Sequence, residues 1–427
     1  MDNDKTKFSG YMVALGCTLV IFCHFGTCFI ITVMMPYFVE KFNTTLAMVA
    51  GSTSVGAGMG FLCSFTSAPV IKKFTARGAL IIGTIFCAVF MAINAVASQV
   101  WMIYISNGLS GFIIAYGAQV SCTSIINNWF IEKRSTVIGV VLGSTAFGGA
   151  LFMFLTGQLI GRVGQFATYG ILGVVAVGIA LFCEIFLIHN KPEDIGQKPL
   201  GWNNSVRNQE TTVLAEEEIS LEPQAARRSS AFIIMIIATF IGAMLYGGFS
   251  TFAPSFWTSN GIPSATAASY ASIASLAGAV ATMSIGIIAD KWGLKTYMFI
   301  LFGCYFIGMV FAILWGTILP VTLIMVLNIC FSSAATPIQG MSSTVAKPVF
   351  GTKAADSING ILMAFFYGGN MICNIAIGTI VDMTGSFIPA FIALCGICIL
   401  TFFLMLIALK LSPMKKLADQ KATEKVA

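Results

Sequence analysis

Long apolar runs recur along almost the whole chain and are separated by short polar stretches. A helix that crosses about 30 Å of hydrocarbon needs roughly 20 mostly apolar residues, and 12 runs reach about this length. They lie at about 11–35, 47–69, 79–97, 100–126, 135–160, 167–189, 231–256, 264–288, 296–316, 318–344, 355–380 and 386–410. The runs do not alternate between apolar and polar residues, as membrane β-barrel strands do. The pattern therefore predicts an all-α membrane protein with 12 transmembrane helices.

One polar stretch is much longer than the others and divides the chain into two halves. We predict an N-terminal six-helix half at 1–189, a cytoplasmic linker at 190–230, a C-terminal six-helix half at 231–410 and a cytoplasmic tail at 411–427. QVSCTSIINNWF (119–130) aligns without gaps with QGMSSTVAKPVF (339–350) at an offset of 220, and Gly60 aligns with Gly278 at an offset of 218. This internal similarity predicts two parallel six-helix pseudo-repeats.

Composition and charge agree with this topology. The chain is 57% hydrophobic and 9% charged, with a mean hydropathy of +0.89. With 12 spans, all but Lys41 and Arg162 of the 23 Lys and Arg residues fall on the side of the two termini, which the positive-inside rule assigns to the cytoplasm. We predict a monomeric, multi-pass protein of the plasma membrane with both termini cytoplasmic. Topology explains the net charge of +6, so no nucleic-acid partner is expected.

The residues that would support redox, metal or enzyme chemistry are sparse. All 12 cysteines lie inside apolar runs, where a thiol behaves as a small hydrophobic group. Cys395-x-x-Cys398 is one pair without a second pair, so we expect no metal site, disulfide or other cofactor. The runs hold no paired carboxylates or His cluster, which argues against a membrane enzyme. A single duplicated chain also does not offer the repeated rings of a channel filter.

One loop concentrates charge in a chain that has little of it. GIIADKWGLK (286–295), between the eighth and ninth runs, resembles the cytoplasmic signature of the major facilitator superfamily. Its short turn requires a glycine, and its carboxylate can meet the positive end of a neighbouring helix. The resemblance implies a secondary transporter that works by alternating access, with Asp290, Lys291 and Gly293 in a gate that also uses Arg134 at the start of the fifth run.

The corresponding segment of the first half departs from this signature. APVIKKFTAR (68–77), between the second and third runs, has Lys72 where the aspartate is expected and Thr75 where the glycine is expected. We therefore expect a weaker contact at this loop than at the loop of the second half.

A second resemblance narrows the family. NKPEDIGQKPLG (190–201), directly after the sixth run, resembles the corresponding segment of the oxalate/formate exchanger and monocarboxylate-transporter-like branch of that superfamily. The resemblance covers twelve residues and implies that the substrate is a small organic anion.

Ionisable residues in the middle of a membrane are candidate functional residues, because something must offset their desolvation. His24, in the middle of the first run, is a candidate for substrate contact or for carrying a coupling proton, with a packed core histidine as the alternative. Glu184 lies six residues from the end of the sixth run, where its carboxylate can extend to the interface, and we interpret it as a structural residue. The other predicted substrate-binding residues are uncharged: Tyr116, Gln119, Tyr246, Gln339, Tyr367, Asn370 and Asn374. Helix-to-helix hydrogen bonding is the alternative for each.

The resemblance to this branch also bears on the charge of the substrate, because its exchangers of dianions are expected to carry cationic side chains on the eighth and eleventh helices, facing the substrate cavity. The eighth run has no Lys or Arg between 269 and 288, and the eleventh has none after Lys353. A dianion in such a cavity would face a large desolvation cost, so we predict a monocarboxylate with an apolar portion, with a proton as a candidate co-substrate. A multidrug or metabolite exporter of the same fold is the alternative. The sequence does not distinguish uptake from export, or symport from antiport.

Overall fold

The protein is all-α in the computed structural model, which describes residues 2–117, 119–131, 134–200, 222–315 and 320–414. The helices are α1 (Asp2–Phe42), α2 (Leu46–Ser64), α3 (Ser67–Val96), α4 (Val100–Tyr116), α5 (Gln119–Trp129), α6 (Arg134–Phe182), α7 (Pro223–Arg227), α8 (Ser230–Ser250), α9 (Ala253–Ser259), α10 (Ser264–Trp292), α11 (Leu294–Ile313), α12 (Val321–Ser332), α13 (Ala335–Phe350), α14 (Thr352–Thr384) and α15 (Ile388–Lys410). A π-helical turn (Cys183–Leu187) continues α6, and a 3-10 turn (Pro192–Ile195) follows it.

Ten helical segments within the described ranges are long and apolar enough to cross a membrane. One of them, Thr136–Leu187, has 52 residues and covers the fifth and sixth predicted runs, with Gly164 in a left-handed conformation (φ +74°) inside it. Helix α10 covers the eighth predicted run and is not among the ten. The all-α membrane prediction is confirmed, and the total of 12 helices in two repeats stays a prediction.

The helices form two compact units, which comprise Met1–Leu214 with Pro254–Leu276, and Ala215–Ala253 with Ala277–Ala427. In unit 1, α1 packs along α6, α2 packs against α4, and α3 packs against both α4 and α6. In unit 2, α8 packs against α14 and α15, α11 packs against α12 and α15, and α13 packs against α8 and α14. The predicted boundaries at 189, 230 and 410 are a separate division and stay a prediction.

Glycines allow a close helix contact in each unit. In unit 1, a Cβ added to Gly148 of α6 would overlap the backbone carbonyl oxygen of Phe22 in α1. In unit 2, a Cβ added to Gly369 of α14 would overlap the carbonyl oxygen of Phe240 in α8. Small residues at such positions let helix backbones approach closely in a membrane.

The segment after the π-helical turn folds back on the end of α5. Leu200 forms an isolated parallel bridge with Phe130, and its N–H donates to the Trp129 carbonyl at 2.8 Å. The Trp129 indole N–H donates to the His189 carbonyl at 2.8 Å. The PEDIG sequence forms the 3-10 turn in this segment and ends at Gly196, whose φ of +70° suits a glycine.

The loop at 286–295 and the corresponding loop at 68–77, which we call the two signature loops, share a backbone conformation. Gly293 has φ +84° and ψ +155°, and Thr75 has φ +66° and ψ +165°. A β-branched residue is strained at positive φ. The Thr75 hydroxyl accepts hydrogen bonds from the Gly78 N–H at 3.2 Å and from the Asn190 amide at 3.3 Å, which helps to hold this conformation.

Candidate functional site

His24 lies on α1 inside unit 1, and 1% of its surface is exposed. Its Nδ1 lies 2.5 Å from the carbonyl oxygen of Gly117, at the end of α4. Its Nε2 lies 2.8 Å from the Thr84 hydroxyl on α3. Both ring nitrogens are therefore hydrogen-bonded, and the imidazole connects three helices.

Glu184 is the other end of the same hydrogen-bonded chain. The Thr84 Oγ1 that contacts His24 also lies 2.6 Å from Glu184 Oε1. Glu184 is fully buried, so the expectation that it extends to the interface is wrong. Its carboxylate turns inward because the π-helical turn adds a residue to the helix at this point, with the Ile188 N–H donating to the Cys183 carbonyl at 2.9 Å.

The guanidinium of Arg77, on α3, donates hydrogen bonds to the backbone of the π-helical turn. Its Nε donates to the Glu184 backbone carbonyl at 2.6 Å, and its Nη2 donates to the Ile185 carbonyl at 2.7 Å. Carbonyls at a helix end lack partners within the helix, and a guanidinium satisfies two at once. Arg77 is held in turn by its own N–H, which donates to Asn190 Oδ1 at 2.8 Å.

Four of the predicted substrate-binding residues lie on α8 and α14 of unit 2. The Tyr246 ring is 5.5 Å from the ring of Phe366, whose own ring is 6.1 Å from that of Tyr367. A Cβ added to Gly247, beside Tyr246, would lie 2.7 Å from Asn370 Oδ1. The fold therefore brings Tyr246 and Asn370 to one contact between α8 and α14, with Tyr367 beside Phe366 on α14, and we call Tyr246, Tyr367 and Asn370 the α8–α14 group.

Asn374 lies one turn after Asn370 on α14. It is buried, and its Oδ1 has no hydrogen-bond partner among the residues that the structure describes. An unpaired buried amide oxygen costs free energy, so Asn374 is a candidate to meet a hydrogen-bond donor.

The other predicted site residues lie elsewhere or outside the described side chains. The Tyr116 hydroxyl is 2.7 Å from the Thr66 hydroxyl, and Gln339 is half-buried on α13. The Lys291 ammonium lies 5.8 Å from the centre of the Trp292 ring. The side chains of Gln119, Arg134 and Asp290 are outside the described set.

Sequence reasoning missed Thr84 and the inward orientation of Glu184. Thr84 sits in the third apolar run as one hydroxyl among many, and hydroxyls within helices usually bond to their own backbone. A carboxyl inside a run was the available signal, but its distance from the run's end favoured interfacial placement.

A family model described as Major Facilitator Superfamily matches residues 17–356 and, separately, 258–426. Among curated proteins, monocarboxylate transporter 12 of Rattus norvegicus is 20% identical over an alignment of 411 residues that covers 91% of this chain and 82% of that protein. The MFS transporter asaE of Aspergillus flavus is 22% identical over an alignment of 202 residues that covers 45% of this chain and 44% of that protein.

Solved structures share the fold at low sequence identity. The xylose transporter XylE from E. coli, in a partially occluded inward open conformation, matches with a TM-score of 0.72 and 13% identity over 93% of this chain and 98% of that chain. The nucleoside transporter NupG matches with a TM-score of 0.68 and 15% identity over 93% of this chain and 99% of that chain.

Proposed function

The chain belongs to the Major Facilitator Superfamily, and from this premise we propose that it moves a small organic anion, a monocarboxylate with an apolar portion, by alternating access. The family and the curated relatives indicate a transporter of small molecules across a membrane, not an enzyme. The monocarboxylate transporter that matches 91% of this chain supports the substrate class.

The observation that carries the proposal is a contact between α8 and α14 that holds polar side chains, on helices whose membrane-spanning sequences have no cation. The α8–α14 group offers two phenols and an amide beside the Phe366 ring. The sequence of α8 has no charged residue, and α14 has no Lys or Arg after Lys353. Hydroxyls and amides can offset part of the desolvation of one carboxylate, whereas a second carboxylate would remain without an opposite charge. Aromatic rings suit an alkyl or aryl body.

The gate is proposed at the Asp290 loop. We place it on the cytoplasmic side of a plasma-membrane monomer with both termini cytoplasmic, because the positive-inside rule assigns that side to the Lys-rich loops. Lys291 is exposed, and Gly293 at φ +84° joins α10 to α11. Asp290 is proposed to contact Arg134 or the free N–H groups at the start of α6, which carry partial positive charge.

Competition in proteoliposomes tests the substrate class. Purified protein would be assayed for uptake of labelled α-ketoisocaproate, with unlabelled α-ketoisocaproate and α-ketoglutarate as competitors. The two acids share the keto-acid head, and the second replaces an apolar end with a carboxylate. We expect α-ketoisocaproate to compete more strongly. Stronger competition by α-ketoglutarate would refute the monocarboxylate assignment, and inhibition only by neutral lipophilic compounds would support an exporter instead.

The Tyr246→Phe variant tests the α8–α14 group. It keeps the ring that contacts Phe366 and removes only the hydroxyl, so packing is conserved while a donor to the carboxylate is lost. We expect a weaker apparent affinity for α-ketoisocaproate at an unchanged maximal rate. Phe365→Tyr, next to Phe366 on α14, is a control for a change of one hydroxyl near the same contact. An unchanged affinity in Tyr246→Phe would remove this residue from the site.

A further inference from the structure

His24, Thr84 and Glu184 are connected by hydrogen bonds in unit 1, and we call them the His24–Thr84–Glu184 chain. The number of protons that these residues hold limits the directions of their hydrogen bonds. The Gly117 carbonyl can only accept, so His24 Nδ1 carries a proton and donates it. Nε2 is then free to be a donor or an acceptor. The Thr84 hydroxyl has one proton and lies within hydrogen-bond distance of both His24 Nε2 and Glu184 Oε1.

Two arrangements satisfy both remaining hydrogen bonds with one mobile proton. In the first, Nε2–H donates to Thr84, and Thr84 donates to the ionised Glu184. In the second, protonated Glu184 Oε1 donates to Thr84, and Thr84 donates to the neutral Nε2. They interconvert when the proton on Nε2 moves to Thr84 Oγ1 while the Thr84 proton moves to Glu184. The charge of the pair is zero in both.

Removal of that proton changes both the charge and the bonding. The pair then consists of a neutral histidine and a carboxylate with a charge of minus one, and Thr84 can donate to only one of them. The atom left without a partner carries the cost of an unsatisfied buried group. The hydrogen bonds of the His24–Thr84–Glu184 chain are therefore all satisfied only when it holds one proton. Loss of that proton weakens the connection between α1, α3 and the π-helical turn.

The surroundings of the second carboxyl oxygen of Glu184 favour the protonated form of this residue. Glu184 Oε2 is buried and has no hydrogen-bond partner among the described residues. Leaving the carbonyl oxygen of a neutral acid unpaired costs much less than leaving an oxygen of a buried carboxylate unpaired. The geometry in this structure thus fits the chain with its proton bound.

Few other titratable groups surround the chain. Arg77 interacts electrostatically with Glu184, and it contacts the backbone carbonyls of the π-helical turn. Among the described residues, the other titratable neighbours of Glu184 are the thiols of Cys23 on α1, Cys87 on α3, Cys122 on α5 and Cys183 beside it. Ordinary guanidinium and thiol groups titrate above about pH 8, so a change between about pH 5 and 8 would come from His24 and Glu184.

We propose that the His24–Thr84–Glu184 chain is a proton-binding site that takes up and releases one proton in each transport cycle. Coupling to an anion rests on the proposed function, whereas the binding of a proton at this chain does not. The substrate monoanion would move together with the proton, and release of the proton would loosen the contact among three helical elements. Thr84 is a positioning residue that transmits the proton between the two titratable groups.

Infrared difference spectroscopy of the purified full chain tests proton binding without any substrate. Spectra at about pH 5 and pH 8 would be compared for the wild type and Glu184→Gln. We expect a carbonyl stretch of a protonated carboxylic acid that changes with pH in the wild type and is missing from the variant. An identical pH difference in both proteins would overturn the proposal.

Transport assays test coupling with the same proteins. Exchange of labelled for unlabelled α-ketoisocaproate at equal pH needs no net proton movement, whereas accumulation driven by a pH gradient does. We expect Glu184→Gln to reduce gradient-driven accumulation by a much larger factor than exchange. Accumulation equal to the wild type would refute the coupling role. If the wild type does not exchange α-ketoisocaproate, the proposed substrate is wrong, and the infrared result still decides the proton site.

Thr84 provides a pair that does not depend on the folding of the Glu184 variant. Thr84→Ser keeps the hydroxyl, and Thr84→Val keeps the shape and breaks both hydrogen bonds. We expect Thr84→Val to move the midpoint of the infrared pH titration and reduce gradient-driven accumulation, and Thr84→Ser to resemble the wild type in both. Equal titration midpoints and equal accumulation in the two variants would contradict the proposed role of the His24–Thr84–Glu184 chain.

Discussion

Units 1 and 2 each contain a place where side-chain hydrogen bonds connect three helical elements, and we call this place a junction. The two junctions differ in the side chains that form these hydrogen bonds. In unit 1, α1, α3 and the π-helical turn meet at His24, Thr84 and Glu184. In unit 2, α8, α11 and α15 meet where the Tyr305 hydroxyl donates to the Leu245 carbonyl at 2.9 Å and the Cys398 thiol donates to the Phe302 carbonyl at 3.4 Å.

The difference between the junctions is one of charge. At the unit 2 junction every hydrogen bond ends on a backbone carbonyl, and its donors are a phenol and a thiol, which are neutral at physiological pH unless perturbed. From Ala231 to Lys410 the sequence contains no His and no Glu. Similar helix packing therefore does not require ionisable groups, so their presence in unit 1 points to a role beyond stability.

The largest effect is expected where the two units are most alike. Gly148→Ala and Gly369→Ala would each force a Cβ onto a backbone carbonyl of the neighbouring helix, which a flexible side chain cannot relieve. Overpacking of this kind costs about 1–3 kcal/mol or more, and we expect low yields or a markedly lower thermal midpoint for both variants. Size-exclusion profiles and thermal unfolding of the purified proteins would measure this.

Gly396→Ala on α15 is the matched control, because a Cβ there meets no atom within 4 Å among the described residues. Replacing an exposed helical glycine with alanine is neutral or stabilising. A normal thermal midpoint for either Gly148→Ala or Gly369→Ala would show that the helices of that unit can separate without penalty.

The next effect concerns the two signature loops, where only the second has an aspartate. Asp290→Asn is expected to slow uptake of α-ketoisocaproate by about 10–150-fold, the rate equivalent of the roughly 1.5–3 kcal/mol of a hydrogen bond to a charged group. Equilibrium binding, measured as a ligand-induced thermal shift, should be nearly unchanged. A normal transport rate in Asp290→Asn would exclude the gate.

The backbone of the same loops gives a smaller effect. Gly293→Ala places a side chain at φ +84° without any steric contact within the described structure, so the cost is conformational and of the order of 1–3 kcal/mol. Thermal unfolding would detect it. Thr75 shows that a β-branched residue can occupy this conformation when its hydroxyl is hydrogen-bonded. A Gly293→Ala protein as stable as the wild type would mean that this conformation carries no strain.

The smallest effect separates the two junctions. Tyr305→Phe removes one hydrogen bond to a helix carbonyl, and we expect a loss of about 0.5–1.5 kcal/mol of stability with no change in the pH profile of uptake. Thr84→Val should cost a similar free energy and also change that profile. A pH profile altered by Tyr305→Phe would indicate that general loosening, and not the proton chain, controls the pH dependence.

The sequence predicted the helices well because their apolar length is a local property. His24 was also recognisable, since it is an ionisable group in the middle of an apolar run. The partners of His24 were not recognisable, because Thr84 is 60 residues away and Glu184 a further 100, and only packing brings them together. The inward orientation of Glu184 depends on one π-helical turn, which no local pattern announced.

The signature loop of unit 1 shows a different limit. Thr75 departs from the expected glycine, and we predicted a weaker loop on that ground. The backbone nevertheless adopts the left-handed conformation of Gly293, because the Thr75 hydroxyl has partners at Gly78 and Asn190. Asn190 precedes the PEDIG turn, so a segment far along the chain supplies what the local sequence lacks.

The central claim is that one monoanion moves with one proton, and the driving force of transport tests it most directly. α-Ketoisocaproate accumulation would be measured in proteoliposomes with either a pH gradient or a potassium diffusion potential set by valinomycin. A monoanion and a proton carry no net charge together. We therefore predict accumulation with the pH gradient and no effect of the potential. Accumulation driven by the potential alone, or indifference to the pH gradient, would contradict the claim.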